Sequence, residues 1–136
     1  MDILAYEYLK KGMEAYNADN GKPHGNAIVG YAPKTPTYPL TIFSEIRNTA
    51  NASYNTCFER VASVGYSVRI NAKKKGTIDN KQTIAREIAQ FIDRYLSSFN
   101  LTRISYNENP SVNDDSIYEI IMTYSGNLHE NRRKFI

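Results

Sequence analysis

Across 136 residues there is one cysteine, no tryptophan and only two histidines. A single thiol, Cys57, cannot close a disulfide within the chain or build a cysteine metal centre, so the composition does not point to an oxidising compartment. His24 and His129 have no ligand-type partner at i+4, and no resident metal or cofactor is expected. No apolar run approaches the roughly 18 residues of a membrane span. The opening MDILAYEYLKKG carries Asp2 and Glu7 and does not read as a signal peptide, so no membrane partner is expected. Glycine is sparse as well: Gly12, Gly21, Gly25 and Gly30 fit neither the dinucleotide fingerprint nor the P-loop. A GxSxG nucleophile elbow is missing. Asp114-Asp115, the one carboxylate doublet, falls in turn chemistry with too few oxygen ligands for calcium. Glu45, Glu59 and Glu119 lie on candidate strands as outward-facing charges. These gaps argue against an enzyme.

What is present is tyrosine, eleven of them, in a chain that is 41% hydrophobic and 23% charged. Tyr suits sheets and interfaces, where an apolar ring sits with its hydroxyl in water. A formal charge of +3 is well short of the dense basic stripe of a dedicated nucleic-acid binder. Ile3, Tyr6, Leu9, Met13 and Tyr16 predict a helix from Asp2 to about Asn17. DNGKPHGN then breaks the chain, and Pro33, Pro36 and Pro39 favour an extended connection. From Leu40 the period becomes two through Arg47, NTANASYNTC reads as a loop or a strongly projecting hairpin, and a second strand runs from Phe58 to Asn71 with a bulge expected at Gly65. Asp79 and Gln82 suit a capping box before a helix over about 80–98, whose stripe is Ile84, Ile88, Phe91, Ile92, Tyr95, Leu96 and Phe99. Thr102–Glu108 and Ser116–Ser125 read as a hairpin, and Gly126 as its end. The expected fold is therefore α+β: a mostly antiparallel four-stranded sheet packed against two helices, with an N-terminal loop. Residues 1–126 form one domain and 127–136 a C-terminal tail.

The order and spacing of several blocks resemble the tail-terminator (tail-completion, head-tail joining) proteins of long-tailed bacteriophages. The blocks are Tyr38–Asn48 (YPLTIFSEIRN), Val64–Ala72 (VGYSVRINA), the helical stretch Ala85–Leu96, Leu101–Tyr106, and Asn109–Gly126. Together they cover most of residues 38–126; the polar stretch Asn48–Cys57 and the loop Asn17–Asn26 are not diagnostic. The resemblance implies a virion protein assembled in the host cytoplasm. It implies a homo-oligomeric ring, commonly of six subunits, that caps the tail tube and joins it to the head connector without bond chemistry. A head-completion protein of the same neck is the adjacent reading.

Candidate contacts with neighbouring copies or partners are Asn48, Tyr54, Lys73, Lys74, Lys75, Arg133, Phe135 and Ile136. Phe135 and Ile136 follow a basic run, and either dock on a neighbour or fray. Lys73–Lys75 either form a solvated turn or meet DNA passing through the channel. An alternative class is a small α+β nucleic-acid-binding module, with Tyr8, Tyr16, Tyr31, Tyr38, Tyr54 and Tyr106 as stacking platforms and salt-dependent binding as its mark. A small enzyme would instead show a pocket of converging polar groups.

Overall fold

A computed structural model describes residues 3–50, 61–74, 76–110, 117–129 and 134–135. Helix α1 spans Ile3–Asp19, and its stripe seats Leu9 and Met13 fully in the core, with Tyr6 and Tyr16 half-buried beside them. A turn at Pro23–Gly25 leads to β1, Ala27–Val29, and the proline segment to β2, Leu40–Ala50. Then come β3, Val61–Lys73; α2, Lys81–Ser97; β4, Thr102–Pro110; β5, Ile117–His129; and β6, Lys134–Phe135.

The fold is α+β as expected, but the sheet is larger and mixed. Its order is β1-β2-β3-β5-β4, with β6 also pairing β5. The four long strands are antiparallel to their neighbours, whereas β1 joins β2 in parallel. At three residues, Ala27–Val29 is too short to show strand periodicity in sequence. Gly126 does not end β5 either: it pairs with Val64, and the strand continues to His129. The described residues of the expected tail thus belong to the sheet. Of the two readings of Asn48–Cys57, loop or projecting hairpin, Asn48–Ala50 fit the second, since they extend β2 opposite Ala62–Val64; residues 51–57 lie outside the described residues.

Alternation decides which face is covered. Thr41 and Phe43 on β2, Val64, Tyr66, Val68 and Ile70 on β3, and Tyr118, Ile120, Met122 and Tyr124 on β5 are buried. They meet Ile84, Ala85, Ile88, Ala89, Ile92 and Leu96 of α2. Burying an aliphatic side chain of this kind contributes about 1.5–3 kcal/mol, so this two-layer contact dominates stability. A run of ring contacts threads it: Tyr6–Phe43–Tyr66–Phe135–Phe99–Tyr95–Tyr16–Phe91. The helices cross closely at Gly12, where a Cβ would overlap the Tyr95 hydroxyl.

Two local expectations fail for identifiable reasons. Asp79 does not cap α2: the residue before the helix is Asn80, Asp79 pairs with Lys81 at 2.7 Å, and Gln82 donates to the Tyr118 hydroxyl. The hydrogen bond from Lys81 holds the Asp79 carboxyl below its usual range. The bulge expected at Gly65 sits on the facing strand. The β2–β3 register shifts between Glu45 and Arg47, and a Cβ at Gly65 would lie 3.3 Å from side-chain carbons of both Ile46 and Arg47. Glycine there makes room for its neighbour's extra residue.

Candidate assembly surfaces

One seam, one open face and two edges are the parts of the surface built with specificity. The seam joins α2 to the outer strand β4. Arg86 grips Glu108 through Nε at 2.6 Å and Nη2 at 2.9 Å, and Glu108 also accepts the hydroxyls of Tyr106 and Tyr118. The Arg86 hydrogen bonds, then those of the two tyrosines, hold the Glu108 carboxyl down at about 2. Burial, helped by the same carboxylate, pushes Tyr106 up to about 12. Two turns along α2 the charges are reversed: Asp93 accepts the Tyr124 hydroxyl at 2.6 Å and faces Arg103 of β4 at 3.7 Å. Burial and then the Asp93 hydrogen bond raise the Tyr124 hydroxyl well above its ordinary value. Both carboxylates tie α2 to the sheet, Glu108 through four donors and Asp93 through one hydroxyl and a longer ion pair. No local pattern marks this seam, because apart from Tyr106 and Glu108 its partners are 10 to 31 residues apart.

The face of the sheet away from the helices mixes a row of short polar side chains with rows of aliphatic, amide and charged ones. Register aligns Ser44, Ser67, Thr123 and Ser105 in one row across β2, β3, β5 and β4. The next row is Ile42, Arg69, Ile121 and Asn107, and the next Leu40, Asn71, Glu119 and Asn109. The proline segment closes one corner into a groove of about 240 Å³, lined by Pro33, Pro36 and Tyr38 together with Ile42, Arg69 and Glu119. Its carboxylate is paired with Arg69 at 3.1 Å. No group of three or more His, Cys, Asp or Glu among the described residues is placed to hold a metal ion. No helix among them is long and apolar enough to cross a membrane.

The two edges differ. On one side β1 covers only the first three residues of β2, Leu40–Ile42. One residue further on, the Tyr6 hydroxyl donates to the Phe43 carbonyl at 2.6 Å. Among the described residues no strand pairs with the outer side of β2 from Phe43 to Ala50. On the other side β4 is the last strand along its whole length. Each edge has one register shift, and each leaves an isoleucine without a Cα partner: Ile46 on β2 and Ile104 on β4, both 58% exposed.

The expected contact residues do not converge. Asn48 is half-buried on β2 and donates to Glu45 at 2.9 Å. Lys73 ends β3 at the opposite end of the sheet, its ammonium 4.6 Å from the centre of the Tyr38 ring, and Lys74 beside it is exposed. Phe135, expected on a neighbouring protein, is instead 6% exposed in its own chain, packed against Tyr66 and Phe99 while β6 pairs with β5. Tyr54, Lys75, Arg133 and Ile136 lie outside the described residues. Nor do the tyrosines form a stacking platform. Tyr16 packs on Phe91 and Tyr95, Tyr106 binds Glu108, and the exposed Tyr8 and Tyr31 lie on α1 and the proline segment. Comparison of the chain with protein-family models and with curated proteins finds no match.

Proposed function

We propose that the chain is a structural virion subunit, a tail terminator that assembles as a ring, caps the tail tube of a long-tailed phage and joins it to the head connector. The observation that carries this reading is where the resembling blocks fall. Tyr38–Asn48, Val64–Ala72, Ala85–Leu96, Leu101–Tyr106 and Asn109–Gly126 supply most of β2, β3, α2, β4 and β5. Those elements are the helix-backed sheet itself, so the resemblance covers the load-carrying scaffold and not scattered loops.

A ring needs a rigid wedge with two different flanks, because a heterologous contact joins unlike surfaces of successive copies. The unequal β2 and β4 edges are such flanks. Six copies is the number the resemblance implies. Lys73 and Lys74 are placed together at one end of β3, and on this reading they face DNA in the channel.

Disrupting the gene in the virus that encodes it tests the proposal by electron microscopy of the lysate. Tails of uncontrolled length, unattached to heads, are expected, and adding back the purified chain should cap and join them. Normal joined particles in its absence would overturn the reading. Reversing Lys73 and Lys74 to glutamate should leave capping intact and impair DNA passage.

A further inference from the structure

We infer that successive copies of this chain join edge to edge, with Arg103 and Ile104 on β4 of one copy set against Glu45 and Ile46 on β2 of the next. The inference takes its partner, a second copy, from the ring reading and names the contact.

Four observations converge. The first is direction. β2 is antiparallel to β3, β3 to β5 and β5 to β4, so β2 and β4 run in opposite senses. Placing β4 of one copy beside β2 of the next therefore continues the antiparallel alternation, the geometry of strand addition. The second is height. Glu45 pairs with Tyr66, Tyr66 with Tyr124, and Tyr124 with Arg103, a single row across the sheet. Its two ends carry opposite charges at opposite margins. Carried into the next copy without shear, the row brings Arg103 to Glu45.

The third is the pair of bulges. Each register shift begins at a member of that row, between Glu45 and Arg47 on β2 and between Arg103 and Ser105 on β4. Each leaves an exposed isoleucine next to the charge, so an apolar contact accompanies the ion pair on both sides. A bulged edge is a poor template for an arbitrary strand, which suppresses indiscriminate aggregation and favours a partner with a matching irregularity. The fourth is the stop. β1 covers Leu40–Ile42 and the Tyr6 hydroxyl occupies the Phe43 carbonyl, so an incoming strand is confined to β2 beyond Phe43, and the register cannot slide past it.

Arg103 is available for this role. Its side chain is 44% exposed, lies 5.4 Å from the Tyr106 ring centre, and reaches Asp93 only at 3.7 Å. Tyr106, Arg103 and Ile104 then form the kind of aromatic, arginine and aliphatic cluster that dominates interface energetics.

Charge exchange tests this on the full chain by mass photometry and sedimentation. The wild type should self-associate, and more weakly as salt rises. Glu45→Arg alone and Arg103→Glu alone should each weaken association by at least tenfold, and an equimolar mixture of the two variants should recover it, because each offers the charge the other now needs. Ile46→Lys and Ile104→Lys form a second pair should a reversal disturb folding: each alone should block growth, and mixed they should stop at a dimer joined through the one intact contact. A wild type that stays monomeric at the highest attainable concentration overturns the inference. So do single variants that assemble as well as the wild type, which would leave the ring reading standing on other surfaces, or a mixture that fails to recover. The ring reading itself falls only by the phenotype of the virus.

Discussion

Arg86 on α2 and Glu108 on β4 are joined by two parallel hydrogen bonds, at 2.6 and 2.9 Å, and the same carboxylate collects the hydroxyls of Tyr106 and Tyr118. Four donors on one carboxylate make Glu108 the point where the outer strand is fastened to the helix layer. A bidentate arginine contact fixes direction as well as distance. This fastening keeps the β4 edge, with its exposed Ile104, in one position relative to the core.

That geometry predicts an acid limb in the stability curve. The Glu108 carboxyl falls from an ordinary 4.5 to about 2 in the folded chain, chiefly through Arg86. A carboxylate whose folded pKa is depressed stabilises the fold fully above its unfolded value and loses that contribution as pH drops through the folded one. The loss should therefore run from about pH 4.5 to about pH 2. Glu108→Gln should lower the urea midpoint near neutrality and flatten the curve across that window. Added salt should shrink the difference, since the Arg86 side chain is 55% exposed. Equal acid sensitivity in wild type and variant would contradict the assignment.

Much of this architecture was legible in the residues, and the failures share a cause. The stripe from Ile84 to Phe99 and the alternation Tyr66, Val68, Ile70 report burial directly, because the core is their only periodic influence. Features made by distant partners left no such trace. Gln82 looked like a capping residue but serves Tyr118, 36 positions away. Gly65 suggests a bulge on its own strand, whereas the extra residue is Ile46 across the ladder. Of the proposed contact surface, the polar segment around Asn48 is visible in sequence, but the row that ends in Glu45 and Arg103 depends on register, which no single strand displays.

Phe135 tests the correction at the C-terminal strand. Its ring lies edge-on to Tyr66 and Phe99, with centroids 6.3 Å from each, and the backbone carbonyl accepts from Asn100. Phe135→Ala should cost about 3 kcal/mol, at the low end for a buried phenylalanine because a two-residue strand can shift to fill part of the space. Denaturant unfolding measures it. A change below about 0.5 kcal/mol, the range of surface substitutions, would mean the ring is not held in the core.

Gly12 should resist a change that ordinarily helps helices. Replacing an interior helical glycine with alanine gains about 1 kcal/mol by propensity. Here the added methyl would overlap the Tyr95 hydroxyl, and overpacking costs about 1–3 kcal/mol. Gly12→Ala should therefore be neutral to destabilising, while Gly12→Ala combined with Tyr95→Phe should exceed Tyr95→Phe alone. Thermal unfolding of the three variants decides it. Stabilisation by the single alanine would show that the helices are farther apart than described.

A polar chain runs through the core from α1 to β2. Thr41, fully buried on β2, donates from Oγ1 to Asn26 Oδ1 at 2.7 Å, and Asn17 of α1 donates to the Asn26 carbonyl at 2.8 Å. Asn26 thus links the helix, the entry to β1 and the covered face of β2. Thr41→Val keeps the volume but removes the donor, leaving the Asn26 oxygen buried at 2% exposure without its hydroxyl. An unsatisfied buried acceptor costs about 1–3 kcal/mol, so the variant should lose that much despite gaining an apolar methyl. Replacing Asn26 by alanine should be at least as costly. The double variant should lose less than the sum of the singles, because the two side chains form one interaction. Strict additivity in the denaturant midpoints would show that Thr41 and Asn26 act independently.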